Sequence, residues 1–303
     1  MRLGDEQESV NFEDRTGRGG GGGFGLGGGG GGGGLFGMLF GLVLSRFGIG
    51  GVLILALGYC ALTTMGGGGG TGGLGGVAGT PAVQSGAQGA STMDPATKKM
   101  LLLVLGSTER RWTDLFAASG QTYQPTKLIA YSRSDRSGCG AAQAAMGPFY
   151  CPTDQSIYLD PTFFNELQTR FGAAGDFAQA YVIAHEVGHH VQHVTGVLDR
   201  ARATQGRASA AEGNKVQVRV ELQADCYAGV WAANDRNLLE PGDVEEGMRA
   251  AEAIGDDTLQ RQSQGRVVPE SFTHGTSAQR MQWLRRGLET GDPAACDTFN
   301  GAV

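Results

Sequence analysis

The chain has 303 residues and a formal net charge of -6 at pH 7, without a cluster of lysine and arginine residues. This composition argues against nucleic acid as the main partner, because nucleic-acid binding depends on clustered cations that neutralise phosphates. Most of the 54 glycines lie in the first ninety residues. The part that can fold, residues 94–303, is large enough for one domain with a substantial hydrophobic core.

The first part of the chain is rich in glycine. Residues 19–34 are glycine at every position except Phe24 and Leu26. Such a segment has almost no side chain to bury and much backbone entropy to lose on folding, so we expect a flexible tether. The sequence predicts a glycine-rich tail over residues 1–34. It also predicts a second flexible linker over residues 66–93, where Gly, Ala, Ser and Thr again dominate.

An apolar segment, residues 35–65, separates these two stretches, and its part from 47 to 65 carries no charged side chain. About 20 apolar residues in a helix cross the hydrocarbon core of a bilayer, so residues 47–65 predict a single transmembrane helix. A cleaved signal peptide is the alternative, but the preceding charged segment is long and no clean cleavage site follows. Arginines precede the span, Arg46 being the nearest, whereas the first cation after it is Lys98. By the positive-inside rule we expect a cell-membrane protein with a cytoplasmic N-terminus and an extracytoplasmic C-terminal domain, periplasmic or extracellular.

The cysteines agree with an exported domain. Cys60 lies inside the apolar segment, which leaves Cys139, Cys151, Cys226 and Cys296 in the C-terminal domain. An even number of cysteines in an oxidising compartment suggests two disulfides, for which three connectivities exist. We expect Cys139 to pair with Cys151, because this closes a short loop, and Cys226 with Cys296 by elimination. Free buried thiols are the alternative.

The region before the histidine-rich segment predicts short strands and helices. Asp94 and Pro95 are typical of a helix start. The stretches TKLIAYS and FYCPTDQSIYLD indicate strands, and residues 161–171 a further helix. Strands followed by helices predict an α+β fold that is mostly helical with a small sheet. Residues 155–159 are the candidate sheet edge to which a peptide substrate adds as a strand.

Residues 175–194 contain four of the five histidines, and their apolar residues recur at spacings of three and four. This spacing predicts an amphipathic helix opened by Asp176. On such a helix His185 and His189 lie one turn apart on one face, so both can bind one ion at about 2.0–2.1 Å. Glu186 is turned about 100° from His185, near the ion but not pointing at it. HEVGH is therefore an H-E-x-x-H metal motif in which the glutamate can hold and deprotonate a water.

A catalytic zinc needs a third protein ligand. The metzincin arrangement would require Gly at 192 and His at 195, but the sequence has Gln192 and Thr195, which excludes that class. His193 lies too far around the helix to converge with the motif histidines on one ion, and His190 lies off the metal face. Both are predicted to be structural or solvent-facing.

The stretch VRVELQADCYAGVW, residues 218–231, supplies the predicted third ligand. Its spacing indicates a helix, although alternating valines at its start also fit a strand. On a helix Glu221 and Asp225 lie one turn apart. Glu221 is the predicted zinc ligand, and Asp225 is predicted to accept the free ring N–H of a ligand histidine. The alternative is an ordinary solvated acidic pair.

HEVGHHVQ, ELQADCYAG and SFTHGTSAQR together resemble the membrane-anchored neutral zinc metallopeptidase family of bacteria, which is related to the gluzincins. SVNFEDRTG near the N-terminus, SGCGAAQAAMGPFYCPTDQSIYLD and GDPAACDTF extend the resemblance to the N-terminal segment and the whole C-terminal domain. The resemblance implies a zincin-like fold with zinc held by His185, His189 and Glu221, and with Asp225 behind them. These are the residues that helix geometry also selects.

Near the C-terminus, His274 precedes a predicted helix that begins at about Thr276 or Ser277 and ends at Gly291. His274 and Arg280 resemble the histidine and arginine found late in gluzincin chains, where such a group can donate to the oxyanion or support the site. The alternative for His274 is a local helix cap.

Together these features predict a membrane-anchored peptidase that holds one Zn²⁺ and hydrolyses peptide or protein substrates. Glu186 would act as the general base and His274 would stabilise the oxyanion. The alternative is a catalytically silent zincin-like domain that binds other envelope proteins. The presence of Glu186 favours the peptidase, because a purely structural zinc needs no general base.

Overall fold

The computed structural model describes residues 1–18, 90–235, 237–301 and 303. The predicted membrane segment over residues 35–65 lies outside them, as does nearly all of the linker that follows it. Among the helices formed by the described residues, none is both long and apolar enough to cross a bilayer.

The described part of the chain is mostly helical and carries a small sheet, in agreement with the α+β prediction. Short 3₁₀ turns occupy Ala144–Met146, Pro269–Ser271 and Pro293–Cys296. In chain order the strands and helices are β1 (Phe12–Asp14), α1 (Pro95–Ala118), β2 (Lys127–Ala130), β3 (Ser134–Ser137), β4 (Gly140–Gln143), β5 (Phe149–Cys151), β6 (Ser156–Leu159), α2 (Thr162–Thr169), α3 (Asp176–Val194), α4 (Val197–Gln205), α5 (Ala210–Asn234), α6 (Asp243–Ala253), α7 (Asp256–Gln264) and α8 (Ser277–Thr290).

Four strands form the main sheet, in the order β1–β2–β6–β5. β2 runs parallel to both β1 and β6, whereas β5 is antiparallel to β6. β3 and β4 form a separate antiparallel hairpin. The prediction of a sheet edge at residues 155–159 is wrong, because β6 lies between β2 and β5. Among the described strands, β5 forms the edge on that side.

Residues 1–18 form part of the same fold, which corrects the extent of the tail predicted over residues 1–34. β1 adds a parallel strand to the sheet beside β2. The amino group of Met1 lies 2.8 Å from a carboxylate oxygen of Asp176 at the start of α3. A strand of three residues is too short for a period-two pattern to reveal, and β2 follows it only after the long glycine-rich and apolar segments.

Helix α3 passes through the hydrophobic core, packed against α1, α5, α6 and the β5–β6 part of the sheet. Its observed range agrees with the predicted helix over residues 175–194. Phe177 stacks on Trp231 of α5, with ring centroids 6.2 Å apart. Glu246 of α6 accepts a hydrogen bond from the backbone N–H of Phe177 at 3.1 Å. The Glu246 carboxylate thus accepts from an N–H of the first turn that has no partner within the helix. From the sequence, Asp176 was the residue expected to open this helix.

Helix α5 includes the valines that also fitted a strand. Ser209 caps its first turn by accepting a hydrogen bond from the backbone N–H of Glu212 at 3.3 Å. Every residue from Val220 to Ala233 is buried, including Glu221 and Asp225. A solvated acidic pair would instead be exposed to water. The alternative of an exposed pair at Glu221 and Asp225 is therefore wrong.

Both predicted disulfides are present. Cys139, between β3 and β4, is bonded to Cys151 at the end of β5. Cys226 on α5 is bonded to Cys296 in the C-terminal 3₁₀ turn. The first bond holds the separate hairpin to the edge of the main sheet, and the second holds the C-terminal residues to the helix that carries the acidic site residues.

Candidate metal centre

The two motif histidines and Glu221 converge between α3 and α5. His185, His189 and Glu221 each offer one ligand atom, and these atoms lie within 4.8 Å of one another. Glu221 Oε2 lies 3.1 Å from His185 Nε2 and 3.5 Å from His189 Nε2. The structure thus brings together the three side chains that the sequence predicted as ligands.

Small residues let the two helices approach at this point. A Cβ at Gly188 would lie 3.0 Å from the carbonyl oxygen of Ala224 and 3.3 Å from its Cβ. Any side chain at position 188 would therefore press against α5 directly beside the site. The glycine in HEVGH keeps α5 close enough for Glu221 to reach the histidines.

Hydrogen bonds determine which ring nitrogen of each histidine faces the centre. His185 Nδ1 lies 2.8 Å from Asp225 Oδ1, and His189 Nδ1 lies 2.9 Å from Gln192 Oε1. The Gln192 amide nitrogen donates to the carbonyl oxygen of Val220 at 2.7 Å, so the amide oxygen is the atom that faces His189. Each Nδ1–H therefore donates to an oxygen, and the lone pair of each Nε2 is left for a metal.

The carboxylate of Asp225 is fully buried and its oxygens accept several hydrogen bonds. Besides His185, the donors are the hydroxyl of Tyr181 at 2.6 Å and two guanidinium nitrogens of Arg280, each at 2.8 Å. Burial alone would raise the pKa of Asp225, but Arg280 and His185 outweigh it and lower this pKa to about 2. Arg280 is only 2% exposed, so the geometry supports its predicted supporting role and not a contact with substrate.

Glu186 lies beside the converging atoms but is not one of them. Its side chain is buried, with 7% of the residue exposed. Burial raises the pKa of Glu186 above its ordinary value, although His189 and His185 act in the opposite direction. Glu186 is thus a buried carboxyl group beside the two candidate ligand histidines.

His274 lies on the loop before α8, beside the part of α5 that carries Glu221. Gly275, with φ +88°, packs against Val218 of α5. The carboxylate of Asp256 accepts a hydrogen bond from the backbone N–H of His274 at 2.6 Å and lies 3.2 Å from its Nδ1. Burial would lower the pKa of His274, but Asp256 and Glu221 raise it above its ordinary value. Asp256 therefore binds His274 through Nδ1, and Nε2 is the ring nitrogen that Asp256 does not contact.

The remaining histidines of the cluster lie away from the converging atoms and bind Tyr150 of β5. The hydroxyl of Tyr150 lies 3.0 Å from His190 Nδ1 and 2.7 Å from His193 Nδ1. His190 is fully buried and its Nε2 lies 2.6 Å from the carbonyl oxygen of Gln124. These two histidines connect α3 to the edge strand β5, which is a structural role.

The chain matches, over residues 1–299, the family model described as "Putative neutral zinc metallopeptidase". The chain belongs to this family. It is 44% identical to the uncharacterized protein YpfJ of Escherichia coli (strain K12) over 306 residues, which cover 100% of both chains. It is 47% identical to the uncharacterized protein Rv2575 of Mycobacterium tuberculosis (strain ATCC 25618 / H37Rv) over 193 residues, or 59% of this chain and 64% of that protein. No solved structure matches the chain.

The side chains of this family member fit a zinc ion. Two imidazole nitrogens and one carboxylate oxygen form a donor set typical of catalytic zinc, which keeps a fourth position for water. Both histidines also have their second ring nitrogen bonded to an oxygen, as zinc-binding histidines usually do. The chemistry of the site therefore agrees with the zinc that the family implies.

Three side chains that support the site were not predicted from the sequence. Gln192 follows His189 at i+3 and Tyr181 precedes His185 at i-4, spacings that place side chains on one helix face. These two partners could have been found from the helix pattern. Asp256 could not, because its position beside His274 depends on how α7 packs against the loop before α8.

Proposed function

We propose that this protein is a zinc-dependent endopeptidase that hydrolyses peptide bonds with Glu186 as its general base. The observation that supports this function is a buried Glu186 carboxylate beside the three candidate ligands. Hydrogen bonds set the tautomers of the two histidines among them. A structural zinc is usually held by four protein ligands and needs no adjacent base. The donor set and its neighbour thus favour catalysis over a purely structural ion.

When bound, zinc would polarise the scissile carbonyl and lower the pKa of the attacking water. Glu186 accepts the proton of that water and passes it to the leaving nitrogen. His274, oriented by Asp256, donates from Nε2 to the oxyanion. Asp225 and Gln192 keep the two ligand histidines in the tautomer that binds zinc.

Strand β5 is the proposed place for the substrate backbone. It is an edge strand among the described residues, and Tyr150 on it bonds to His190 and His193 on the helix that carries the zinc ligands. An extended peptide can add to such an edge through main-chain hydrogen bonds. The proposed substrates are therefore peptides or unfolded segments of proteins.

The proposed location is the cell membrane, because residues 35–65 form a long apolar stretch of the kind that enters a bilayer. The two disulfides support an oxidising, extracytoplasmic compartment for the described domain.

The test compares Glu186→Gln with Glu166→Gln, which changes an exposed carboxylate on α2 and serves as the matched control. Zinc content and the cleavage of a mixed peptide library are measured for both variants. Glu186→Gln should keep its zinc and lose about 10²–10⁴-fold in turnover, the usual contribution of a positioned base. Cleavage by Glu186→Gln at the wild-type rate refutes the mechanism. Zinc in the wild type without any cleavage favours the alternative, a zincin-like domain that binds envelope proteins.

A further inference from the structure

The chain leaves and re-enters the described fold at one point. Residues 19–89 separate Arg18 from the next described residue, yet Thr16 and Thr92 bond to each other twice. The backbone N–H of Thr92 donates to Thr16 Oγ1 at 3.1 Å, and Thr92 Oγ1 donates to the carbonyl oxygen of Thr16 at 3.1 Å. The two ends of the intervening segment are therefore immediate neighbours.

The N-terminal segment is held through its backbone within the sheet. The carbonyl oxygen of Asn11 accepts from the N–H of Leu128 at 2.9 Å, and the N–H of Arg15 donates to the carbonyl oxygen of Ala130 at 2.7 Å. These two bonds involve the residues directly before and directly after β1, and both go to β2. β1 is therefore paired with β2 along its whole length.

Side-chain hydrogen bonds also hold the N-terminal segment against α1. Ser9 Oγ and Asn11 Nδ2 both donate to one carboxylate oxygen of Glu109, at 2.6 Å and 2.9 Å. The backbone of Gln7 crosses α1 at Gly106, where a Cβ would lie within 3.0 Å of the Gln7 carbonyl oxygen. A glycine in the middle of a helix is unfavourable by itself, and here it provides the room for the crossing segment.

This geometry constrains the side of a membrane on which residues 1–18 and 90–303 lie. A single crossing at residues 47–65 would place about 30 Å of hydrocarbon between residues 1–18 and Thr92. Thr16 and Thr92 are, however, hydrogen-bonded to each other. Whatever path residues 19–89 take, both ends of it lie on one side.

We propose that residues 1–18 and 90–303 occupy the same compartment, because the hydrogen bonds between Thr16 and Thr92 and the pairing of β1 with β2 require both parts on one side of a membrane. This arrangement replaces the cytoplasmic N-terminus expected from the arginine distribution. The two disulfides favour the extracytoplasmic side for both parts. The proposal does not depend on peptidase activity.

Single cysteines report the side of each part in living cells. In a Cys60→Ala background, Val10→Cys marks the N-terminal segment, since Val10 is 92% exposed. Lys215→Cys marks the domain, since the Lys215 side chain is 71% exposed. The four remaining cysteines are in disulfides. Intact cells are treated with a membrane-impermeant maleimide, and a second sample is treated after permeabilisation.

The two cysteines should react alike: both before permeabilisation if the protein faces outward, or both only after it if the protein faces the cytoplasm. Labelling of Lys215→Cys with protection of Val10→Cys in intact cells, or the reverse, overturns the proposal in favour of a single crossing. Mass spectrometry of the labelled protein provides the control for chain integrity. Loss of the first residues by cleavage before the domain also overturns the proposal.

Discussion

Two helical glycines, Gly106 in α1 and Gly213 in α5, give a matched test of how residues 1–18 are bound. A Cβ at Gly106 would lie within 3.0 Å of the carbonyl oxygen of Gln7, whereas a Cβ at Gly213 would meet no atom within 4 Å. Replacing either glycine by alanine gains up to about 1 kcal/mol of helix propensity. Only Gly106→Ala also forces two backbones apart, an overpacking that costs about 1–3 kcal/mol.

Because the gain in propensity is common to both variants, their free energies of unfolding should differ by about 1–3 kcal/mol, with Gly106→Ala the less stable. For a domain of this size the difference corresponds to roughly 2–12 °C in Tm. Thermal unfolding measures it, and limited trypsin digestion at Arg15 and Arg18 measures the release of the N-terminal segment. Equal stability and equal protection of that segment in the two variants would refute the crossing of Gln7 over α1.

Three further predictions concern the zinc site and the N-terminal segment. Asp225→Asn should weaken zinc binding about 10–100-fold in competition with a chromogenic chelator, because His185 loses its charged acceptor; unchanged affinity would contradict this. Arg280→Met should lower the free energy of unfolding by about 3–5 kcal/mol in chemical denaturation, because the Asp225 carboxylate stays buried without its cation. Burial would raise the pKa of Asp14, but hydrogen bonds from three neighbours lower it from 3.8 to about 2. The resulting stabilisation is present above about pH 4 and is lost as pH falls towards 2. The protection of residues 1–18 from hydrogen exchange, measured relative to the intrinsic rate at each pH, should therefore fall more steeply over this range in the wild type than in Asp14→Asn.

The H-E-x-x-H motif could be predicted because the relation between its two candidate ligands, His185 and His189, depends on local geometry. His185 and His189 are one turn apart on a single helix, so their common face follows from 3.6 residues per turn. Glu221 and Asp225 repeat this relation on α5. The pairing of Cys139 with Cys151 is likewise close to local, because the short loop between them leaves few other arrangements. In each case the sequence separation is short: four residues within each helix and twelve between the two cysteines.

Contacts between distant elements were not predictable in the same way. β1 has three residues, so its pattern carries no periodic signal, and its partner depends on how the segments after it return to the fold. The position of β6 inside the sheet depends on β2 pairing with it on the side opposite β5. Arg280 reaches Asp225 only because α8 packs on α5, a relation that no spacing within either helix reveals.

The packing of α8 on α5 also explains how residues outside HEVGH influence the candidate zinc ligands. A Cβ at either Gly229 on α5 or Gly287 on α8 would lie within 3.0 Å of the backbone of the other helix. The two helices are therefore in close backbone contact, and this contact sets the distance from Arg280 to Asp225. Since Asp225 in turn holds His185 Nδ1, the orientation of a ligand ring depends on a helix crossing that contains no ligand. The H-E-x-x-H spacing selects the donor atoms, whereas the packing of α3, α5 and α8 decides whether they face a common point.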